Sequence, residues 1–262
     1  MTQQRIWDTA LRQSAIDMGC APEDFLRHEN VIVPSRAEAR ARAYLTLPFP
    51  VELVSYGHNV VASVQPEYRQ ITEDYLGRFP GAYCFQTPNL YALDEALAPF
   101  GLRVCYMSEY FLPDLSALRA QTCDFALRLL GPAEFADLYR PEWSNALCES
   151  RRALDVLGVG AYDGSALVGL AGCSADCEDM WQIGVDVLPG YRGRGIASAL
   201  TGRLTAEILG RDKVPFYCAA WSNLASVRSA LRCGFRPAWT ELTIRPAEEV
   251  ARALGRGMSI TG

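Results

Sequence analysis

One segment constrains this chain more than any other: MWQIGVDVLPGYRGRGIASALTGRLTAEILG, residues 180 to 210. Met180 to Val187 is an apolar run with β-branched residues that reads as a buried strand, and Pro189-Gly190 stops it. Ile196, Leu200, Leu204 and Ile208 then recur at every fourth position and make one apolar helix stripe, with Gly210 placed to end it. Between strand and helix stands Arg192-Gly193-Arg194-Gly195. Glycines permit positive φ and close backbone approach, so successive N–H groups can converge on an anion at the positive end of the helix. The two arginines add charge-assisted donors for phosphate. An ordinary exposed loop uses the same residue types, so the segment by itself leaves both readings open. Walker A is excluded, because no G-K-[ST] follows, and the dinucleotide fingerprint is only partly matched, with Ser198 where its third glycine falls.

The flanking sequence predicts a mixed α/β chain. Strands are expected over 125–130, 156–162, 167–173, 215–220 and 239–244, with Asp163-Gly164 as a hairpin turn. One or two helices are expected over 132–149 and another over 225–232. Nearer the start, residues 2–18 read as a helix, and Ser35 to Leu45 as a basic helix whose Arg36, Arg40 and Arg42 form a solvated face.

Composition excludes several functions. The chain has 262 residues, half of them apolar, which is enough for a sizeable core and leaves one large domain or two lobes open. Its net charge of −5 argues against a nucleic-acid partner, which needs a clustered positive field. Nine cysteines without a C-x-x-C pair, and only two histidines, read as a reduced cytoplasmic protein with no metal site. No apolar stretch is long enough for a membrane span, and the N-terminus does not have the pattern of an export signal.

Arg192-Gly193-Arg194-Gly195-Ile196-Ala197 fits the pattern [QR]-x-x-G-x-[GA]. Asn223, Ser226 and Cys233-Gly234-Phe235 follow in the order of a second pattern, N-x-x-[AS]…GF. Together with the order of elements over residues 122 to 246, these motifs resemble the GNAT superfamily of acyl-CoA-dependent N-acetyltransferases. The resemblance implies a GNAT fold in the C-terminal part and acetyl-CoA as co-substrate. It implies that Arg192, Gly193, Arg194, Gly195, Ile196 and Ala197 hold the coenzyme pyrophosphate, with Asn223 and Ser226 in the second coenzyme motif. It further implies that the N–H of Val187 bonds the coenzyme, that an N–H near Val185 polarises the thioester, and that an acceptor amine attacks directly. The chain departs from the family at Ala230, where many members carry a tyrosine as the thiol's acid; water or Cys233 is left for that role. The chain is also similar to a subgroup that includes a bacterial zwittermicin-resistance acetyltransferase, which implies a small-molecule amine as acceptor and a monomer or homodimer. A catalytically weak acyl-CoA-binding module is the other reading.

The acceptor amine must lose a proton, and the central strand offers Asp186 first and Asp179 second as the base, with Asp176 and Glu178 nearby. Alternation puts Gln182, Gly184 and Asp186 on one face of that strand. A carboxylate there is either functional or a structural acceptor for neighbouring donors. Trp181, Trp221 and Trp239 are candidate walls of an acceptor pocket, although packing is the usual role of strand aromatics, and the stretch Glu142 to Asn145 reads equally as part of an acceptor site or as a surface helix with one buried tryptophan.

Two segments repeat. Val64-Gln65-Pro66-Glu67-Tyr68-Arg69 echoes Val187 to Arg192, and AYCFQTPNLYALDEALAPFGL from Ala82 parallels FYCAAWSNLASVRSALRCGF from Phe216. The first copy has Gln70-Ile71-Thr72-Glu73-Asp74 where the second has its glycines, and two acids there repel a pyrophosphate. The expectation is a degenerate GNAT-like α/β lobe over 1–115 and a coenzyme-binding domain over 122–262.

Overall fold

The computed structural model describes residues 1–255. In chain order the elements are α1 (Gln3–Met18), β1 (Val31–Pro34), β2 (Val51–Ser55), β3 (Val61–Val64), α2 (Arg69–Arg78), α3 (Thr87–Leu97), β4 (Leu102–Pro113), β5 (Ala126–Leu130) and β6 (Asp155–Asp163). They continue with β7 (Ala166–Ser174), β8 (Met180–Val187), α4 (Ile196–Gly210), β9 (Val214–Ala219), α5 (Leu224–Arg232), β10 (Phe235–Pro246) and α6 (Ala247–Gly255). The fold is mixed α/β, as the sequence predicts.

The chain forms two compact units, one of Met1–Thr9 with Tyr110–Pro237 and one of Ala10–Glu109 with the chain from Ala238 onward. Each unit takes a piece from the far end of the chain. Apolar alternation in β10 explains the C-terminal piece. Thr240–Ile244 pairs antiparallel with Ser55–Val51 of β2, and Leu242 and Ile244 are fully buried in the second unit's core.

In the first unit the strand order is β9-β8-β7-β6-β5, antiparallel except for the parallel β8–β9 pair. The stripe Ile196, Leu200, Leu204 and Ile208 of α4 packs with Val159, Val168, Ala171 and Ile183 of the strands, all of them buried. Each fully buried aliphatic side chain of this kind is worth about 1.5–3 kcal/mol relative to exposure.

Residues 132–149 are not the expected helices, and the chain continues without an α-helix to residue 154. They form 3-10 turns at Pro132–Glu134, Ala136–Leu138, Pro141–Trp143 and Glu149–Leu154. Pro141, in the interior of this stretch, removes a backbone donor and fixes φ, which breaks a longer helix. The buried side chains of Phe135, Trp143, Ala146 and Leu147 instead pack with Leu130 and Leu170.

In the second unit the order is β1-β3-β2-β10-β4. Val51, Leu53, Ala62, Val64, Leu242 and Ile244 share a core with Tyr75 and Leu76 of α2 and Leu93 and Leu97 of α3. Alternation puts Glu52, Ser63, Glu241 and Thr243 on the opposite face, where each is 1–3% exposed. Residues 35–45 run as turns rather than a basic helix. Arg42 is buried, not solvated: it donates to Asp17, to the Tyr44 hydroxyl and, at 2.9 Å, to Glu241. Asp17 also accepts the backbone N–H of Arg42 at 2.9 Å, so one α1 carboxylate fixes both the turn and the side chain.

Candidate functional site

The site begins where two strands part. β8 pairs with β9 only from Met180↔Val214 to Ile183↔Tyr217, whereas it pairs with β7 out to Val187↔Gly169. The N–H of Leu188 donates to Val168 O at 3.0 Å, on the β7 side. Strand alternation then turns the N–H groups of Val187 and Val185 the other way, into the gap that opens toward β9.

The glycine-rich turn follows at once. Pro189–Tyr191 makes a 3-10 turn, Gly193 and Gly195 both have φ of +77°, and Gly195 is the N-cap of α4. The first N–H to bond back into the helix is that of Ala199, to Gly195 O at 3.0 Å, so Ile196, Ala197 and Ser198 present helix-start N–H groups. A Cβ at Gly193 would meet nothing within 4 Å, which marks open space beside the turn. Arg192 Nε donates to Val187 O at 3.1 Å and ties the turn to the strand end. The Arg194 guanidinium lies 4.5 Å from the Phe125 ring centre and 5.6 Å from that of Tyr191, whose hydroxyl donates to Asp163 at 3.1 Å. Bare backbone donors, a helix start and two cations suit a pyrophosphate group.

Asn223 caps α5, its Oδ1 accepting the N–H of Ser226 at 3.2 Å, and Ser226 Oγ lies 2.6 Å from the Tyr217 hydroxyl. Burial pushes the Tyr217 hydroxyl up to about 12, so it stays protonated at neutral pH. Ala230 is fully buried in the core. Cys233 is buried too; its thiol donates to Ser198 O at 3.2 Å, and burial pushes it up to about 11.

The two candidate acids are placed very differently. Asp186 accepts three bonds, from Asn145 N at 2.9 Å, Asn145 Nδ2 at 2.6 Å and Ala146 N at 2.9 Å. Asp179 precedes the paired end of β8, half exposed, with Lys213 Nζ at 3.4 Å. The gap lies at the other end of that strand. Of the tryptophans, Trp181 packs against the first unit's core and Trp221 is exposed, while Trp239 is buried in the second unit, stacked on Tyr56 at 5.4 Å.

The sequence reading missed the seat of the 145–146 segment. Gly172 and Gly184 are register partners on β7 and β8. A Cβ would stand 2.0 Å from Ala146 O at Gly172 and 1.7 Å from Asn145 O at Gly184. A glycine inside a strand marks close approach of another backbone, and two of them facing each other were the available signal. Behind this segment Asp155 accepts the N–H of Cys148 at 2.9 Å and the Tyr139 hydroxyl at 3.1 Å, and burial pushes its carboxyl up to about 6.

Residues 122–235 match the model of the Acetyltransferase (GNAT) family, so this stretch carries an acyltransferase domain. No curated protein matches the chain. Among solved structures, the chain is similar to a GCN5-related N-acetyltransferase-like protein from Streptococcus suis, with 19% identity, coverage of 59% of this chain and 68% of that one, and a TM-score of 0.43. A GCN5-related N-acetyltransferase from Kribbella flavida gives 14%, 57%, 62% and 0.47 in the same order. The aminoglycoside N-acetyltransferase AAC(6')-Iy, solved in complex with CoA, gives 16%, 46%, 93% and 0.35. The chain spans 62–68% of the length of the first two.

Proposed function

We propose that this acyltransferase moves an acetyl group from acetyl-CoA to the amine of a small molecule by direct attack. The observation that carries the reading is the gap between β8 and β9, which opens beside the glycine-rich start of α4. Bound acetyl-CoA supplies the acetyl group as a thioester. Arg192 to Ala197 hold its pyrophosphate, Asn223 and Ser226 border its arm, and the Val187 N–H fixes that arm in the gap. The Val185 N–H donates to the thioester oxygen as negative charge grows there, a stabilisation that needs no reorganisation during the reaction.

Asn145 and Ala146, held by Asp186, border the acceptor side, so Asp186 acts here by positioning. Asp179, engaged with Lys213, stands away from the gap. The amine's proton therefore leaves through water, and water also protonates the departing thiolate, since Cys233 is enclosed in the core. Nine free cysteines fit a reducing, cytoplasmic setting. Among the described residues, no helix is long and apolar enough to cross a membrane.

The degenerate-lobe reading draws support from local structure. β3, a 3-10 turn at Pro66–Tyr68 and α2 follow in the order of β8, the turn at Pro189–Tyr191 and α4. Gly101 and Gly234, both at positive φ, precede the strands β4 and β10, each of 12 residues. The copies differ at Gly81–Phe85, a 3-10 turn where the second has β9, and at α2, which starts without glycines.

The test is thiol release from acetyl-CoA across a panel of primary amines, beside acetyl-CoA binding alone. Amine-dependent release supports the enzyme. Saturable binding without release from any amine supports the acyl-CoA-binding module, the reading that buried Ala230 favours.

A further inference from the structure

The second unit holds a cavity that lies outside the acyltransferase stretch. It measures about 320 Å³, near the lower end of the ~300–1,000 Å³ usual for small-molecule pockets. One wall is a single stripe of α1 and its end, Arg12, Ile16 and Gly19 followed by Cys20; the other is the turn segment carrying Arg36, Glu38 and Arg40.

Both walls are fixed. Gln13 of α1 donates to Arg40 O at 3.0 Å and to Asp17 at 2.9 Å, which ties the turn segment to the helix. Gly19 has φ of +70°, and the Arg36 side chain lies across this helix end, its Nε 2.9 Å from where a Cβ would stand. Glu38 pairs with Arg36 at 3.0 Å. With three guanidinium groups and one carboxylate, the lining carries a formal charge of +2 on a chain whose net charge is −5. Ala15, Ile16 and Pro22 give the floor an apolar character. Cys20 adds no charge at neutral pH, because burial and the Asp24 carboxylate push its thiol up to about 12.

We infer that this cavity binds a small amphipathic anion, its carboxylate or phosphate on Arg12 and Arg40 and its apolar body on the α1 stripe. Guanidinium groups recognise both anions through paired N–H donors, and the partly enclosed floor adds the apolar contribution. The site is independent of the coenzyme loop.

Calorimetry on the full chain tests this with phenylphosphate, phenylacetate and the neutral benzyl alcohol. At least one anion should bind saturably, with benzyl alcohol at least tenfold weaker, and binding should weaken as salt rises. Arg12→Gln with Arg40→Gln should reduce the anion's affinity at least tenfold, and Gly195→Asp should leave it unchanged. Amide NMR shifts at Gly19 and Cys20 on titration locate the ligand without any substitution. No saturable anion binding, equal binding of benzyl alcohol, or binding lost in Gly195→Asp with Gly19 and Cys20 unmoved would overturn the proposal. None of these outcomes bears on acyl transfer, which the thiol-release assay reads separately.

Discussion

Asp186 grips Asn145 twice, taking its backbone N–H on Oδ2 at 2.9 Å and its side-chain amide on Oδ1 at 2.6 Å. A carboxylate so occupied serves as a clamp, and its removal has a signature different from that of a base. Asp186→Asn should raise KM for the amine at least fivefold while the pH–rate profile keeps its shape. Asp186→Ala should also lower stability by about 1.5–3 kcal/mol, the usual range for a hydrogen bond to a charged group. Kinetics of both variants across pH decide the matter; loss of one limb of the profile would make Asp186 the base instead.

Gly184→Ala places a methyl group 1.7 Å from the Asn145 carbonyl oxygen, a backbone atom that cannot swing aside. Overpacking of this kind costs roughly 1–3 kcal/mol, and a backbone obstacle puts it at the upper end. Gly190→Ala, with nothing within 4 Å, should change stability by less than about 0.5 kcal/mol. Urea unfolding of the pair measures the contrast, and equal midpoints would show that the 145–146 segment is not seated on the strands.

Gly195→Asp joins two effects at the start of α4. A side chain at φ of +77° strains the N-cap by roughly 1–2 kcal/mol, and a carboxylate faces the helix-start N–H groups proposed for the pyrophosphate. Acetyl-CoA affinity should fall at least a hundredfold by calorimetry. Wild-type affinity would refute the assignment of this turn.

Glu52 lies 1% exposed, and neither of its carboxylate oxygens has a hydrogen-bond partner among the described residues. Burial, then the charge of Glu241, hold its carboxyl well above the ordinary 4.5. Between the unfolded value and the raised folded one, the native state binds a proton that the unfolded chain has released, so stability falls as pH rises. Glu52→Gln removes that dependence. The variant should therefore gain on the wild type from pH 5 to pH 8, by up to about 1.4 kcal/mol per pH unit, until the folded carboxyl ionises. Parallel stability curves from urea titrations would contradict it.

Local signals announced most of the first unit. Strong periodicity placed β8 at Met180–Val187 and α4 from Ile196 to a stop at Gly210, and the paired motifs pointed to the turn between them. What failed to show depended on contacts between residues far apart in sequence. Arg42 read as solvated because a charged residue in a basic stretch usually is; the Asp17 and Glu241 carboxylates, far off along the chain, compensate its charge in burial. Asp186 stayed open between base and structural acceptor because its donors lie in a segment 40 residues earlier that periodicity misread as helical. The two strand glycines carried the missing information, but a glycine records that something approaches and not what.

The path of β10 bears on how the protein is made. β2 pairs with β3 on one side and with Thr240–Ile244 on the other, so its second edge is completed by residues translated long after it. At roughly 5–20 residues per second, a ribosome leaves that edge unpaired for several seconds or more after β2 has emerged. Nascent chains meet one another during such an interval, and an apolar strand with open N–H and C=O groups is a template for wrong pairing. Yield at high expression rates is then governed by when the last strand arrives, as much as by how stable the finished protein is.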